Sequence, residues 1–547
     1  MNRTWNKKVS IVMSTALAIS VLAACSSNKP AVTSSTTPSA SQTDAAKQAP
    51  LVMDWLGYNS YGQPDPESYV VKYVQDKFNV KFNFWYIDNQ KWDDNLNVKL
   101  AAGEMPDVLR IANKANIARY VTQGILAPIS EDTFRKFAPN YAKFLDTYYK
   151  EAWDGVKYDG KIYAIPTTNL NASYPTDVIW REDWLKNVGI TKVPETLQEY
   201  ETALYKFRDE DPDKNGKKDT NGLSDYALPN ILGAFGYPGI MNFKDAAKGV
   251  SAKAIPFTLK DGKVVFAPIQ PEMKDALALL QKWYKDGIIS PEFVTGENTG
   301  GYWADSQAFY NGKIGLTGIS MFYHWRNELN PDNPADKGGG QWVAFKQAQP
   351  NGTIAFGKPA VGPKGKSGVE QWDTSSPPVG ITTKAAKDPK KLETLLKMID
   401  LSVTDNEYFN TISYGAPGVD WKMENGKFTY MTITDTAADA TKKGKGVLGA
   451  LVQFDPFLKK ADPFTYQYGD KVIDKTKGYK PLFVPTTDAF TKNSATLSKL
   501  TAETYFKIIT GEASLDSFDD YVKKFKANGG DEVEKAANDA YNKMIGK

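Results

Sequence analysis

A single cysteine, Cys25, is the sequence feature that most restricts how this chain of 547 residues can fold. The protein that follows it cannot form an intramolecular disulfide. Its roughly 500 residues must therefore be stabilised by large hydrophobic cores, which chains of this length can build. The only histidine is His324. A multi-histidine metal site or a histidine-based catalytic triad is therefore not predicted.

The residues before Cys25 have the three parts of a bacterial secretion signal. Basic residues at positions 3, 7 and 8 precede an apolar run, and small residues lead into Cys25. The run of about 15 residues is shorter than the ~20 that a transmembrane helix needs. We predict that residues 1–24 are a lipoprotein signal peptide and that Cys25 is acylated, which would place the protein outside the cytoplasm and anchor it to the cell membrane. The alternative is an ordinary cleaved signal with a cysteine at that point by chance.

Composition further limits the partners of the mature chain. Residues 25–50 are rich in Ser, Thr, Ala, Pro and Gln, which predicts a disordered tether. The three basic residues of the leader account for the whole formal charge of +3, so the mature chain has no basic excess and no nucleic-acid partner is predicted. The chain also contains 13 Trp and 29 Tyr, which can supply both core area and a binding surface. We expect a monomer.

Strand and helix patterns alternate at the start of the globular part. Strands are predicted over residues 51–55, 80–86 and 107–111, with helices over residues 67–78 and 88–102 between them. This alternation predicts an α/β layer with a mainly parallel sheet. Helical spacing recurs later in the chain at Met273, Leu277, Leu280 and Tyr284, and through the last sixty residues.

Four sequence segments carry a family resemblance. They are LAAGEMPDV at 100–108, YDGKIYAIP at 158–166, IWREDWL at 179–185 and FYNGKIGL at 309–316. In this order they resemble segments of bacterial extracellular solute-binding proteins, from about residue 51 to the end. The branch that the chain resembles most is that of the large lipoproteins serving ABC importers of oligosaccharides, a group similar to maltose- and alginate-binding proteins.

The resemblance implies a type II periplasmic-binding-protein-like fold. This α/β fold has two lobes with mixed sheets flanked by helices, and a ligand cleft at the hinge. Lobe 1 would comprise residues 51–167 and about 352–402, and lobe 2 residues 168–351 and about 403–547. The implied function is capture of an oligosaccharide and its delivery to an ABC permease, without catalysis. Two alternatives stay open, a secreted glycoside hydrolase and a surface polysaccharide-binding lipoprotein without a transport role.

An acidic loop has the spacing of a calcium-binding loop. Oxygen-bearing side chains occupy loop positions 1, 3, 5 and 9, with Gly216 at position 6 and the carbonyl of Lys217 at position 7. Position 12 is Gly222 instead of glutamate, so a further ligand such as Asp225 or water would be needed. We predict a structural Ca²⁺; the alternative is an acidic surface turn. The predicted ligands are Asp211, Asp213, Asn215, Lys217 and Asp219.

A sugar site needs flat aromatic rings together with paired hydrogen-bonding groups, at the carboxyl ends of strands. Ser320, Tyr323 and Trp325 follow the predicted strand over 313–318, and in maltose-binding-like relatives an aromatic residue after this strand stacks on the sugar. Arg181 has the alternative of a local salt bridge, and His324 could contact ligand or be structural. Trp303 and Trp372 are left open. The predicted ligand-binding residues are Trp55, Tyr58, Asn59, Asn113, Asn169, Asn171, Trp180, Arg181, Ser320, Tyr323, Trp325, Tyr414 and Trp421.

Overall fold

The structure is a computed structural model. It describes residues 49–545, apart from 59–60, 89–91, 225–226, 238–255, 292, 294–306, 319, 335, 373, 433–434, 449–452 and 481. The predicted signal peptide, Cys25 and nearly all of the predicted tether lie outside the described residues, as do Asn59, Asp225 and Trp303. None of the helices in the described ranges combines the length and the apolar character needed to cross a bilayer.

The described β-strands, in chain order, are β1 Leu51–Leu56, β2 Val80–Phe84, β3 Val108–Arg110, β4 Lys157–Tyr158, β5 Lys161–Ile162, β6 Ile165–Thr168, β7 Val178–Arg181, β8 Asn221–Leu223, β9 Phe257–Lys260, β10 Lys263–Phe266, β11 Ile314–Gly318, β12 Ile354–Phe356, β13 Val369–Glu370, β14 Ser375–Ile381, β15 Trp421–Glu424, β16 Lys427–Tyr430 and β17 Gly478–Tyr479.

The described α-helices are α1 Tyr69–Phe78, α2 Trp92–Ala101, α3 Ile117–Thr122, α4 Glu131–Phe137, α5 Pro139–Tyr148, α6 Glu182–Asn187, α7 Leu197–Asp209, α8 Leu228–Gly233, α9 Glu272–Lys285, α10 Gln307–Tyr310, α11 Gly340–Ala348, α12 Pro389–Thr404, α13 Asn406–Tyr414, α14 Ala437–Lys442, α15 Asp455–Ala461, α16 Pro463–Val472, α17 Asp488–Thr510, α18 Ser517–Phe525 and α19 Asp531–Met544.

The first sheet has the strand order β2-β1-β3-β14-β6. β1 pairs in parallel with β2 and β3, whereas β14 pairs antiparallel with β3 and β6. Alternate residues of β1, Met53 and Trp55, point into a core that also buries Val70 and Val74 of α1. The strands and helices predicted between residues 51 and 111 are confirmed, with shifts of a few residues at their ends.

The second sheet has the order β12-β7-β11-β8. β7 runs antiparallel to β11 and β12, and β8 is parallel to β11. Helices α7 and α9 pack on this sheet, and the C-terminal helices pack on α9, where the Gln281 side-chain amide donates to the Ile508 carbonyl at 2.6 Å. The helical pattern predicted around residues 273–284 and through the C-terminus is confirmed.

In the described residues the chain passes between the two lobes three times. The crossing segments are residues 169–177 between β6 and β7, residues 357–374 between β12 and β14, and residues 453–487 between the first core and α17. A small cluster of Tyr174, Met321, Phe322 and Tyr468 joins two of these segments to the turn after β11.

The predicted second part of lobe 1, residues 352–402, needs correction. β12 lies in the second sheet, because it pairs with β7. Tyr408 and Ile412 of α13, together with Val447, are buried in the first core. The second part of lobe 1 therefore begins near residue 374 and continues to residue 448, since α12 and α13 pack against the first sheet before the chain crosses again.

Candidate functional site

In each sheet, the edge at which most strands have their carboxyl ends lies at the crossing segments. β1, β2, β3 and β6 all run in the same direction, so their carboxyl ends lie at one edge of the first sheet. In the second sheet the carboxyl ends of β8 and β11 lie beside the start of β7. Residues 169–177 connect the end of β6 directly to the start of β7, which brings the two edges together at a cleft.

Five of the predicted ligand-binding residues lie in the cores. The exposed fractions of Trp55, Tyr58, Trp180, Arg181 and Trp325 are 0%, 1%, 0%, 2% and 0%. Their side chains therefore present no surface to a ligand in this conformation. Trp55 lies within β1 and not after it, and Trp180 is in the middle of β7, which is covered on both faces.

Each of these side chains has a structural contact that accounts for its burial. The Trp55 indole N–H donates to the Val447 carbonyl at 3.2 Å, and Trp325 packs edge-on to Phe309 with ring centres 5.4 Å apart. The Arg181 guanidinium forms two hydrogen bonds to the Asp183 carboxylate, at 3.0 and 2.7 Å. The local salt bridge left open for Arg181 is thus confirmed.

Trp421 packs within a hairpin instead of facing the cleft. It begins β15, is 4% exposed and stacks on Phe428 of β16. Its indole N–H donates to the Gly415 carbonyl at 2.7 Å. Tyr414, the residue before Gly415, ends α13 and is only half-buried.

The remaining predicted polar residues differ in their surroundings. Asn113 is exposed after β3, and Asn169 is half-buried, with its backbone N–H donating to the Thr374 carbonyl at 2.8 Å. Ser320 is 4% exposed, and its hydroxyl has no hydrogen-bond partner among the described residues. Trp372, which was left open, is half-buried beside the cluster that joins the lobes.

Three predicted residues, Asn171, Tyr323 and Tyr414, come together around Tyr466 of α16. The Tyr466 hydroxyl donates to the Asn171 side-chain carbonyl at 3.2 Å. Burial raises the pKa of the Tyr466 phenol, and Tyr414 and Tyr323 are close enough to raise it further. Tyr174 joins this group, with its ring centre 6.5 Å from that of Tyr466. We call Tyr174, Tyr323, Tyr414 and Tyr466 the tyrosine cluster.

A half-buried carboxylate, Asp455, lies beside the tyrosine cluster. Both of its oxygens are in hydrogen-bond range of the Tyr149 hydroxyl, at 2.9 and 2.8 Å. Burial raises the pKa of Asp455, and its charge in turn contributes to the raised pKa values of the phenols of Tyr174 and Tyr466. The site therefore combines aromatic rings, an amide and a carboxylate in one partly open place between the lobes.

Sequence reasoning missed Tyr149, Tyr174, Asp455 and Tyr466. Three of these belong to crossing segments or their neighbours, and nothing local in the sequence shows that residues 453–487 return to the hinge. The available signal was the dense aromatic run PFTYQY at 463–468, which is unusual for an amphipathic surface helix.

His324 contacts Tyr323 with ring centres 4.2 Å apart and is half-buried. Burial lowers the pKa of its imidazole to about 4. His324 is therefore neutral near pH 7, and its ring adds to the support of Tyr323.

The acidic loop is held by hydrogen bonds to the side chain of Asp211. The Asp211 carboxylate accepts from the backbone N–H groups of Asn215 and Gly216, at 3.1 and 2.9 Å. The Asn215 side-chain amide donates to Asp213 at 2.7 Å and to Asp219 at 3.1 Å. The side chains at positions 1, 3, 5 and 9 therefore converge, and Lys313 adds a positive charge 3.2 Å from the Asp219 carboxylate.

Position 12 of the loop, Gly222, cannot carry a glutamate. A Cβ atom at Gly222 would lie 2.9 Å from Cδ2 of Leu204, because this residue faces the second core from β8. Thr220 is also directed inward, with its hydroxyl donating to the Phe207 carbonyl at 2.6 Å. In the part of the chain that the structure describes, no group of three or more Asp, Glu, His or Cys side chains is arranged to hold a metal ion.

Two α/β lobes with facing strand-end edges and a polar, aromatic site at their crossings define a hinged ligand-binding protein. The chain belongs to the bacterial extracellular solute-binding proteins: the model of that family, described as "Bacterial extracellular solute-binding protein", matches residues 68–371.

Two curated relatives from Bacillus subtilis (strain 168) match along almost the whole chain. Lipoprotein LipO is 24% identical and covers 97% of this chain and 97% of its own length. The polygalacturonan/rhamnogalacturonan-binding protein YtcQ is 24% identical, over 92% of this chain and 94% of its own length.

Two solved structures share the fold. One is alginate-binding protein AlgQ2 without calcium ion, with a TM-score of 0.60, 19% identity and coverage of 90% of this chain and 98% of that chain. The other is an HMO-binding solute-binding protein associated with an ABC transporter, from Bifidobacterium longum infantis ATCC 15697, with a TM-score of 0.65, 17% identity and coverage of 91% and 99%. The predicted two-lobed α/β fold is confirmed.

Proposed function

We propose that this protein captures an oligosaccharide between its lobes and delivers it to the permease of an ABC importer, with no bond made or broken. The observation that carries the proposal is the tyrosine cluster with Asn171 and Asp455 beside it, at the crossing segments. Support also comes from the family and from relatives named for the binding of polysaccharides or sugars.

The chemistry of the site suits a sugar. The C–H faces of a pyranose pack on aromatic rings, and its hydroxyls both donate and accept hydrogen bonds. The Asn171 amide offers donors and an acceptor, whereas the Asp455 carboxylate offers acceptors only. Because the site lies where the chain crosses between lobes, ligand contacts there would favour the closed form over the open form.

The sharpest test of the site is the removal of the Tyr466 ring. In isothermal titration calorimetry, Tyr466→Ala is expected to weaken binding of a cognate oligosaccharide at least tenfold. Tyr466→Phe keeps the ring and should lose only the contribution of the hydroxyl. Tyr148→Phe, at a tyrosine that is 62% exposed on α5, is the matched control. Unchanged affinity in Tyr466→Ala would remove the tyrosine cluster from the binding site.

We further propose that the protein acts outside the cytoplasm, attached to the membrane through acylated Cys25, with residues 25–50 as the tether. The proposal is supported by the signal pattern before Cys25 and by the similarity to Lipoprotein LipO. A tether would let a monomeric two-lobed protein reach a permease in the same membrane. If the proposal holds, Cys25→Ala releases the protein into the medium; membrane retention of this variant would contradict it.

We also propose a structural Ca²⁺ in the acidic loop, held by Asp211, Asp213, Asn215, Asp219 and the Lys217 carbonyl. Burial and then the neighbouring Asp211 and Asp219 carboxylates raise the pKa of Asp213, as is expected of negative charges that a cation would balance. The ion would supply that charge and fix the turn after α7. The oxygen-only donor set suits a hard cation.

A further inference from the structure

We infer that the sugar unit held at the tyrosine cluster is uncharged, and that Asp455 is the residue that selects against acidic sugars. This inference rests on the proposed function and deepens it, because it names the class of sugar. It is drawn from the hydrogen-bonding capacity of Asp455 and from the charges around it.

The Asp455 carboxylate can accept more hydrogen bonds than the described residues donate to it. An ionised carboxylate has about four lone-pair positions and no donor. The described donors are the Tyr149 hydroxyl, which has a single hydrogen to donate, and the backbone N–H of Asp455 itself. The half-buried carboxylate keeps lone pairs open to further donors, and sugar hydroxyls supply such donors as strong, charge-assisted hydrogen bonds. A uronate carboxylate brings no donor and could not replace them.

Three carboxylates lie near the rings of the tyrosine cluster, namely Asp455, Asp462 and Asp470. Asp470 belongs to α16, the helix that carries Tyr466, Asp462 is the N-cap of that helix, and Asp455 begins α15. The charges of Asp455 and Asp462 both raise the pKa of the Tyr466 phenol, which places two carboxylates near the ring that would contact the sugar.

Among the residues that the structure describes, several basic side chains of this region are already paired with carboxylates. Lys475 forms an ion pair with Asp470, and its ammonium lies 4.2 Å from the centre of the Tyr174 ring. Lys480 pairs with Glu151 at 3.1 Å. Burial raises the pKa of Asp455, and the charge of the exposed Lys459 offsets only part of that rise.

These observations together predict discrimination by charge. A carboxylate brought next to Asp455 would be repelled, and no unpaired guanidinium is described at the cluster to form the bidentate contact that uronates favour. A neutral sugar of the same shape avoids the repulsion and gains hydrogen bonds. We expect at least a tenfold difference in affinity, which corresponds to about 1.4 kcal/mol.

The experiment compares two probes that share one sugar backbone, of which one carries carboxylates and the other uncharged methyl esters. Trigalacturonate and its methyl triester are titrated into the mature protein by calorimetry, beside a panel of neutral gluco-, xylo-, galacto- and fructo-oligosaccharides. The expected result is that a neutral oligosaccharide binds, and that the triester binds at least tenfold more tightly than the free acid. Asp455→Asn is expected to remove most of this difference, whereas the charge-matched control Asp76→Asn, at an exposed position on α1, keeps it.

The outcomes separate this inference from the proposed function. Tight binding of trigalacturonate, equal to or better than its ester, overturns the inference but leaves sugar capture intact. If Asp455→Asn and Asp76→Asn both still discriminate between the free acid and its ester, the inference is also overturned. Absence of binding by every saccharide overturns both. If Asp455→Asn does not fold, the wild-type protein still gives a test: because burial raises the pKa of Asp455, discrimination should weaken as the pH is lowered from 7.5, since Asp455 takes up a proton more readily than an ordinary carboxyl group.

Discussion

Replacing Asp177 with asparagine should stabilise the protein at neutral pH and remove part of its pH dependence. Asp177 is fully buried at the start of β7, where the first crossing segment enters the second lobe. One carboxylate oxygen accepts from the Ser320 backbone N–H at 3.1 Å. The other has no partner among the described residues. Burial raises the pKa of Asp177 to about 7, and its backbone hydrogen bonds offset only part of that effect.

The magnitude follows from the difference between the folded and unfolded pKa values. A carboxyl whose pKa is about 7 when folded and 3.8 when unfolded binds more protons in the folded state. Its contribution to stability is fully present below pH 3.8 and is lost as the pH rises towards 7. At about 1.36 kcal/mol per pKa unit, the loss amounts to about 4 kcal/mol. Asparagine has the same shape as the protonated acid and does not ionise.

The assay is urea unfolding followed by tryptophan fluorescence at pH 4.5, 6 and 8. The free energy of unfolding of Asp177→Asn minus that of the wild type should be about 1 kcal/mol at pH 4.5, where Asp177 is already largely ionised in the unfolded wild type. It should rise by a few kcal/mol, at most about 4, by pH 8. Asp76→Asn, at an exposed carboxylate, is the control and should show no such rise. A difference for Asp177→Asn that does not change with pH would refute the reasoning.

Three further predictions concern the core, an ion-pair network and the acidic loop. Trp325→Ala should lower the free energy of unfolding by about 3–5 kcal/mol, because the ring is fully buried; an unchanged urea midpoint would contradict this. Lys445 lies 2.9 Å from Asp420 and 2.6 Å from Asp435. Lys445→Met should cost about 1.5–3 kcal/mol, because the nearly buried Asp420 would keep only Lys443, 3.4 Å away, as a cationic partner; a stability within about 1 kcal/mol of wild type would show the network to be dispensable. Chelation should lower the melting temperature of the wild type but not of Asp213→Asn, and an equal response of both proteins would argue against Ca²⁺ in the loop.

Local patterns were sufficient to predict the elements of the first lobe. The alternation that buries Met53 and Trp55, and the helical spacing of Val70, Val71 and Val74, are properties of short segments. The lobe boundary depends instead on long-range pairing. β14 inserts between β3 and β6, more than 200 residues away in sequence from each, and the sequence contains no local signal for that pairing.

The site was predicted in part, for a related reason. Position after a strand placed Asn171 and Tyr323 near the cleft, and Tyr414 was selected from the family resemblance. The structure brings all three to Tyr466. The position rule also selected Trp325, which is fully buried, because position along the chain does not tell which way a side chain points. Asp455 had no local signal and Tyr466 had only the aromatic run at 463–468, since both reach the hinge through the third crossing segment.

The most direct test of the central claim is calorimetric titration of the mature protein with a panel of neutral oligosaccharides, with reducing ends assayed before and after. We predict that at least one binds with a dissociation constant near micromolar, about −8 kcal/mol, and that the number of reducing ends does not change. Absence of binding across the panel would contradict sugar capture, and the appearance of new reducing ends would contradict capture without cleavage.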